Sequence, residues 1–258
     1  MKLSGKTILI TGGSSGIGLE LARRLIEHGN KVIITGRDAA KLNKAEKELG
    51  RVATIQSDVS DPKQIEKLAK KIEKEFPDLN ILINNAGVMF TINLQNHDLK
   101  LDQLTREIDI NVKGPIMMVD RFLPLLKKNG TSAIVNVSSG LAFVPLPISP
   151  VYCSTKAALH SYTLSLRSQL KNTNVKVFEL APPATKTELL DEFAEGDMEG
   201  VSIMTVEDMV QDFMKGFEKD KFEIRPGQAN QLRFMNRLAP GFIHAQLAKT
   251  VDGMHKQP

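Results

Sequence analysis

The stretch "TGGSSGIGLE", Thr11–Glu20, closes the apolar run "TILIT" (7–11) and sets four glycines, Gly12, Gly13, Gly16 and Gly18, in seven residues before a helical pattern begins. A tight strand-to-helix turn calls for glycine, which alone reaches positive φ freely. A phosphate cradle calls for it too, because bare backbone and a helix N-terminus must approach a pyrophosphate closely. The rest of the chain separates the two readings.

Working outward, short β-branched runs alternate with charged helical stretches. "KVIIT" (31–35) precedes a lysine-rich helix over 38–49, and "VATIQ" (52–56) precedes a helix opening on "DPKQ". There Asp61 can cap, Pro62 suits the first turn and Gln64 can reach back to the cap. "NILIN" (80–84), a long helical region over 98–128, "AIVNV" (133–137), a helix over 150–171 and "VKVFEL" (175–180) continue the rhythm. Near-continuous apolar strands between helices predict an α/β, Rossmann-type doubly wound parallel sheet of about seven strands with helices on both faces. No repeat or linker interrupts it, so 1–258 is expected to form a single domain. After Pro182 the pattern becomes acidic and aperiodic. An insertion over about 184–205 would lie beyond the carboxyl ends of the strands, where ligands bind in such sheets, as a lid or as a surface loop.

Composition excludes several classes. The 258 residues are 41% hydrophobic and 25% charged, with a net charge of +4. The basic residues lie beside acids in helical segments such as "KQIEKLAKKIEKEF", which reads as a solvated face and not as a nucleic-acid stripe. One cysteine, Cys153, forbids an intrachain disulfide and suits a reducing compartment. The N-terminus enters a strand at once without the organisation of a signal peptide, and no apolar run approaches the ~18 residues that span a bilayer. A cytoplasmic location without an integral membrane segment is expected.

Chemistry concentrates in "YCSTK". Tyr152 and Lys156 stand four apart in a predicted helix, on one face and one turn apart. A lysine cation favours phenolate, and so does an oxidised nicotinamide; a tyrosine tuned this way can give or take a proton at a carbonyl or alcohol oxygen. Ser138 and Ser139 end the strand "AIVNV", where a hydroxyl can donate to a substrate oxygen or cap a turn. "NNAG" (84–87) ends another strand, where small residues let a cofactor approach the backbone or form an ordinary turn. Asn111 falls mid-helix, a poor place for asparagine, and is expected to perturb the helix so that a carbonyl or water serves the lysine.

Together these residues resemble the short-chain dehydrogenase/reductase family in its form of about 250 residues, from Lys6 to about Thr187. The shared features are Thr-Gly-x-x-x-Gly-x-Gly at 11–18, "NNAG" at 84–87, and the tetrad Asn111, Ser139, Tyr152 and Lys156. The resemblance implies that the glycine-rich turn binds a dinucleotide, with Gly12, Ser14, Ser15, Gly16, Ile17 and Gly18 around phosphates and ribose. It implies Asp58 and Val59 beside the adenine, and Asn85, Ala86 and Gly87 along the ribose and nicotinamide. Tyr152 would be the general acid/base, Lys156 would also hold the nicotinamide ribose, and Pro182 and Thr187 would border the nicotinamide. The usual Pro-Gly after the sixth strand is Pro182-Pro183 here. That change and the segment over 134–161 are similar to the DltE-like branch of bacterial oxidoreductases.

The end of the second strand, "IITGRD", speaks to the cofactor. NAD-selective enzymes place a carboxylate there for the ribose 2′-hydroxyl. Here Gly36 leaves space and Arg37 offers a guanidinium to a 2′-phosphate, while Asp38 fits a helix N-cap. NADP is therefore expected, with NAD possible. The substrate pocket, formed by 88–93, 141–150 and the insertion, is mostly apolar. The expected activity interconverts a carbonyl and an alcohol on a small molecule; the alternative is a nucleotide-binding sensor or scaffold with little turnover. The five histidines, His28, His97, His160, His244 and His255, lack metal-ligand spacing, so no metal is expected. Cys153 and the methionines read as packing. A homodimer or homotetramer is expected. The basic, apolar "LRFMNRLAPGFIHAQLAK" (232–249) suits a neighbouring subunit, a membrane surface or closure over the pocket.

Overall fold

The computed structural model describes residues 1–193 and 201–254. Strands β1 (Thr7–Thr11), β2 (Lys31–Gly36), β3 (Val52–Gln56), β4 (Leu79–Asn84), β5 (Ser132–Val137), β6 (Val175–Leu180) and β7 (Glu223–Ile224) form one sheet in the order 3-2-1-4-5-6-7. Every adjacent pair is parallel. Strand order reverses between β1 and β4, which opens a crevice at their carboxyl ends, directly beyond the glycine-rich turn.

Helices α1 (Gly16–Glu27), α2 (Ala39–Leu49) and α8 (Val206–Glu218) cover one face; α3 (Pro62–Glu75), α6 (Gly114–Lys128) and α7 (Pro150–Gln169) cover the other. Alternate strand residues divide between the two layers. Ile8, Ile10, Ile81 and Ile83 pack with Leu21, Leu25, Phe213 and Phe217, whereas Leu9, Leu82 and Ile134 pack with Ile65, Leu68, Phe122 and Leu126. Burial on both faces explains why the strands read as unbroken apolar runs.

One expectation is corrected. The helical region over 98–128 is not one helix. It breaks into the short α4 (Leu101–Leu104) and α5 (Arg106–Ile108), a π-helical turn at Asp109–Lys113 and then α6. Gln64 does reach back to the cap: its Nε2 donates to Asp61 Oδ2 at 3.0 Å and its Oε1 accepts from the Asp58 amide at 2.9 Å, while Asp61 caps the helix by accepting from the Lys63 amide. The insertion after β6 is stitched at its base by a bridge between Thr185 and Met204, and a 3-10 turn follows at Glu188–Glu192. Residues 194–200, the middle of the expected lid, lie outside the described residues, as does His255.

Three helices end the described residues: α9 (Gln228–Leu238), α10 (Pro240–Ala248) and α11 (Thr250–Met254). Ala229 of α9 is buried against Gly140, where a glycine Cβ would stand 3.2 Å from the alanine Cβ.

Candidate active site

A cleft of about 590 Å³ runs from the glycine-rich turn to the start of α7. Gly12 has φ +63°, and a Cβ there would lie 2.8 Å from Ala86 Cα, so the turn and the end of β4 touch through bare backbone. Asn85 Nδ2 donates to the carbonyl oxygens of Thr11 and Gly12, both at 3.0 Å. The amides of Asn85 and Ala86 donate back to Thr11 Oγ1, also at 3.0 Å.

Ser14, Ser15, Gly16 and Ile17 line the cleft. Ser15 is the N-cap of α1, yet its side chain makes no capping bond, which leaves first-turn amides for an anion. Gly18 is placed differently from the expectation. It does not line the cleft, and a Cβ on it would lie 2.2 Å from the Gly12 carbonyl oxygen and 2.5 Å from Asn85 Nδ2. Its bareness lets helix and turn pack; it supports the cradle from behind.

At the far end of the cleft stand Gly36, Arg37, Asp38 and Lys41. Asp38 caps α2 by accepting from the Lys41 amide at 3.0 Å, as its position suggests. Lys41 is a cation that sequence reading missed, although its place in the first turn after Asp38 was a usable signal. Its ammonium pairs with Glu188 at 2.7 Å. Asp58 and Val59 line the same end, and Asp58 Oδ1 is held by the amide and hydroxyl of Ser60. Gly36, where an added Cβ would stand 3.2 Å from Ser14 Oγ, keeps this end of the cleft bare; with uncapped α1 amides and a bare-backbone turn it fits a dinucleotide pyrophosphate.

At the other end β5 delivers Ser139 while α7 carries Tyr152 and Lys156. Lys156 Nζ donates to the Val137 carbonyl at 3.0 Å and stands 5.5 Å from the centre of the Tyr152 ring. Ser139 Oγ accepts from the Leu141 amide at 3.1 Å, so the serine caps a turn and faces the cleft at once. Asn85, Ala86, Gly87, Pro182 and Thr187 complete the walls. Asn111 is fully buried behind Gly87 and lines no part of the cleft. Its amide group clamps Val88, accepting from the backbone N–H at 2.9 Å and donating to the carbonyl at 2.8 Å, and it donates to Thr155 Oγ1 at 3.0 Å. The expected helix perturbation is the π turn around this side chain. A Cβ on Gly87 would lie 3.3 Å from Asn111 Oδ1 and 3.4 Å from Lys156 Nζ.

Burial governs the titration of the site. The Tyr152 phenol is pushed well above its ordinary value by burial, and Ser139 pulls it partly back. The Tyr–Lys spacing alone predicts the opposite direction, because spacing carries no measure of desolvation. Burial brings the Lys156 ammonium down to about 8, and buried Glu107 pulls it upward. Cys153 is packing: burial pushes its thiol up to about 11, and it accepts from the Leu146 amide at 3.2 Å.

A second polar cluster escaped the sequence because its members meet only through strand register. Asn84, Asn136, Glu179 and Glu223 are successive partners across β4 to β7. Glu179 accepts from Ser138 Oγ at 2.5 Å and lies 2.8 Å from His160 Nδ1. His160, Glu179 and Glu223 bring three ligand-type atoms within 4.8 Å of one another. The cations engaged there are guanidinium groups: Arg225 and Arg233 pair with Glu223 at 2.5 and 3.1 Å.

Comparison with known proteins gives the family and the fold. The family model for short chain dehydrogenase matches residues 6–197. The uncharacterized oxidoreductase DltE of Bacillus subtilis (strain 168) is 45% identical over 239 residues, covering 92% of this chain and 94% of that protein. A short chain dehydrogenase from Burkholderia cenocepacia J2315, solved with NADP, superposes with a TM-score of 0.83 at 27% identity, covering 96% of this chain and 99% of that one. The 3-ketoacyl-(acyl-carrier-protein) reductase from Brucella melitensis, solved with NADH, gives a TM-score of 0.79 at 26% identity over 88% of this chain and 100% of that one.

Proposed function

The chain belongs to the short-chain dehydrogenase/reductase family, in the branch that includes DltE, and is an NAD(P)-dependent oxidoreductase; within that frame we propose that it interconverts a carbonyl and an alcohol with NADP(H). The observation that supports this best is the meeting of Ser139, Tyr152 and Lys156 at the end of a cleft whose other end is the glycine-rich turn. Bound there, the nicotinamide would supply or accept the hydride.

The chain's own residues manage the oxygen and its proton. The hydroxyls of Ser139 and Tyr152 face one spot and donate to the carbonyl oxygen, which stabilises the charge that develops on it. Burial keeps Tyr152 protonated, the state a proton donor needs in the reducing direction. Lys156, brought to about 8, is placed to pass a proton toward the tyrosine and to hold the nicotinamide ribose. Asn111 acts through position, holding Val88 and the π turn beside Gly87 and Lys156 Nζ.

Arg37, with Lys41 beside it and no carboxylate at Gly36, favours NADP over NAD. The described part of the insertion brings Leu189, Leu190, Phe193 and Val201 to the cleft, which with Met89, Leu141 and Leu146 suits a substrate with apolar bulk. In this reading 1–258 is one domain and the insertion closes over substrate. The reading also includes a homodimer or homotetramer, supported by exposed Ile116 on α6 and Leu164 on α7. A cytoplasmic location completes it, supported by the buried lone thiol; no helix among the described residues is long and apolar enough to cross a membrane.

The test is cofactor consumption across a panel of ketones and aldehydes, with calorimetric titration of NADPH and NADH. Turnover with NADPH preferred is expected. Tight cofactor binding with no turnover on any member would return the chain to a sensing or scaffolding role.

A further inference from the structure

Between Glu223 and Asp252 the sequence has no Asp or Glu, whereas 30 acids in 258 residues would place about three in that interval. Arg225, Arg233, Arg237, His244 and Lys249 all fall inside it. The structure divides these groups between two faces. Inward, Arg225 and Arg233 are tied to Glu223, Arg233 lies 4.6 Å over the Phe143 ring, and Asn236 donates to the Phe143 carbonyl at 2.8 Å. These contacts fix α9 to the body of the protein. Outward, Phe234 is 60% exposed and Leu238 67%, one helical turn apart, and Phe242 on the adjoining α10 is 56% exposed. Exposed Arg237 and Lys249 stand among them, without an ion pair among the described residues. No residue of α10 is fully buried.

We propose that the outer face of α9 and α10 docks on an anionic phospholipid bilayer surface. Phe234, Leu238 and Phe242 would enter the interface, and Arg237 and Lys249 would meet lipid phosphates. Exposed apolar side chains alone do not choose an occupant; the charge does. A two-fold contact through α9 and α10 would set one acid-free stretch against another, bringing Arg237 and Lys249 toward their own counterparts. A bilayer with anionic headgroups offers apolar depth and opposite charge together. The contact is peripheral, because neither helix is long enough to span. The same two helices reach the cleft through Leu232 and Leu247 on their inner sides, so docking would hold the pocket wall near the lipid.

The test is co-sedimentation of the full chain with vesicles of phosphatidylcholine alone, or of phosphatidylcholine and phosphatidylglycerol in equal parts. Binding is expected to the anionic vesicles and to fall steeply at about 1 M salt, where the Debye length is about 3 Å. Phe242→Glu is expected to weaken it by at least ~10-fold, and Arg237→Ala or Lys249→Ala by about 5-fold each, with cofactor binding unchanged. Light scattering after gel filtration distinguishes the competing occupant. No vesicle binding by the parent, or a Phe242→Glu variant that splits an oligomer without altering vesicle binding, overturns the proposal.

Discussion

Replacing Lys156 by methionine removes an ammonium group from the buried floor of the cleft while keeping most of the aliphatic stem. Burial brings that ammonium from 10.5 to about 8. At about 1.4 kcal/mol per unit, the charged lysine costs the folded state on the order of 3 kcal/mol at neutral pH, offset by about 1 kcal/mol from its bond to the Val137 carbonyl. The folded value lies below the unfolded one, so between them the unfolded chain binds more protons. Stability contributed by this group therefore rises with pH through the window from about 8 to 10.5. From about pH 7 to about pH 9.5 the parent should gain roughly 2 kcal/mol over Lys156→Met. Tyr152 and Cys153, both raised by burial, shift stability the other way at alkaline pH, but they are present in both proteins and largely cancel in the difference. Urea unfolding of parent and variant at the two pH values measures it. The variant should be at least as stable as the parent at neutral pH, lose that advantage at alkaline pH, and have no useful turnover at either. A stability difference that does not change with pH would refute the buried-ammonium argument.

Tyr152→Phe keeps the ring and removes the proton donor; turnover should fall by at least ~100-fold with cofactor affinity retained, as single-turnover and titration measurements would show. Arg37→Ala should weaken NADPH about 10- to 150-fold and leave NADH nearly unchanged, the loss of a charge-assisted contact of about 1.5–3 kcal/mol, read by calorimetry of both cofactors. Gly18→Ala must move either the Gly12 carbonyl or α1, because the new Cβ lies 2.2 Å from that oxygen. A loss of about 2 kcal/mol, or roughly 4–8 °C in Tm, is expected with weaker cofactor binding; an unchanged melting curve would contradict the packing role given to Gly18.

Six strands and the residues of the cleft could be read from the sequence because their signals are local. Apolar β-branched runs mark a sheet buried on both faces, and Tyr152 and Lys156 are related by one helical turn. What escaped is non-local. The two-residue β7 is too short to carry a pattern and is set by pairing of Glu179 and Leu180 with Glu223 and Ile224. The broken region before α6 depends on Asn111 finding Val88, 23 residues away. The spacing of Gly18 fits the phosphate motif, but which glycines face the cleft and which face Asn85 depends on how α1 packs on the turn. The direction of the tyrosine shift needed the depth of burial, which spacing does not contain.

The support behind the serine belongs to that non-local part. Glu179 is wholly buried near the carboxyl end of β6, a position where an unpartnered carboxylate would be costly. Its partners are Ser138, the neighbour of Ser139, and His160, one turn beyond Lys156 on α7. Arg233 Nη1 lies 3.4 Å from His160 Nε2, which suits a proton on Nδ1 directed at Glu179. Arg233 also reaches Glu223 on β7 and caps the Phe143 ring, which packs edge-on against His160. The strand end that presents Ser139, the helix that presents Tyr152 and Lys156, and the helix that walls the substrate pocket are thus joined through one buried carboxylate. Satisfying that carboxylate requires the end of β5 and α7 to be in register, and Arg233 ties α9 to the same cluster through His160 and Glu223, so the polar row across β4 to β7 fixes the relative placement of the catalytic hydroxyls and the pocket wall in a way that apolar packing alone would not.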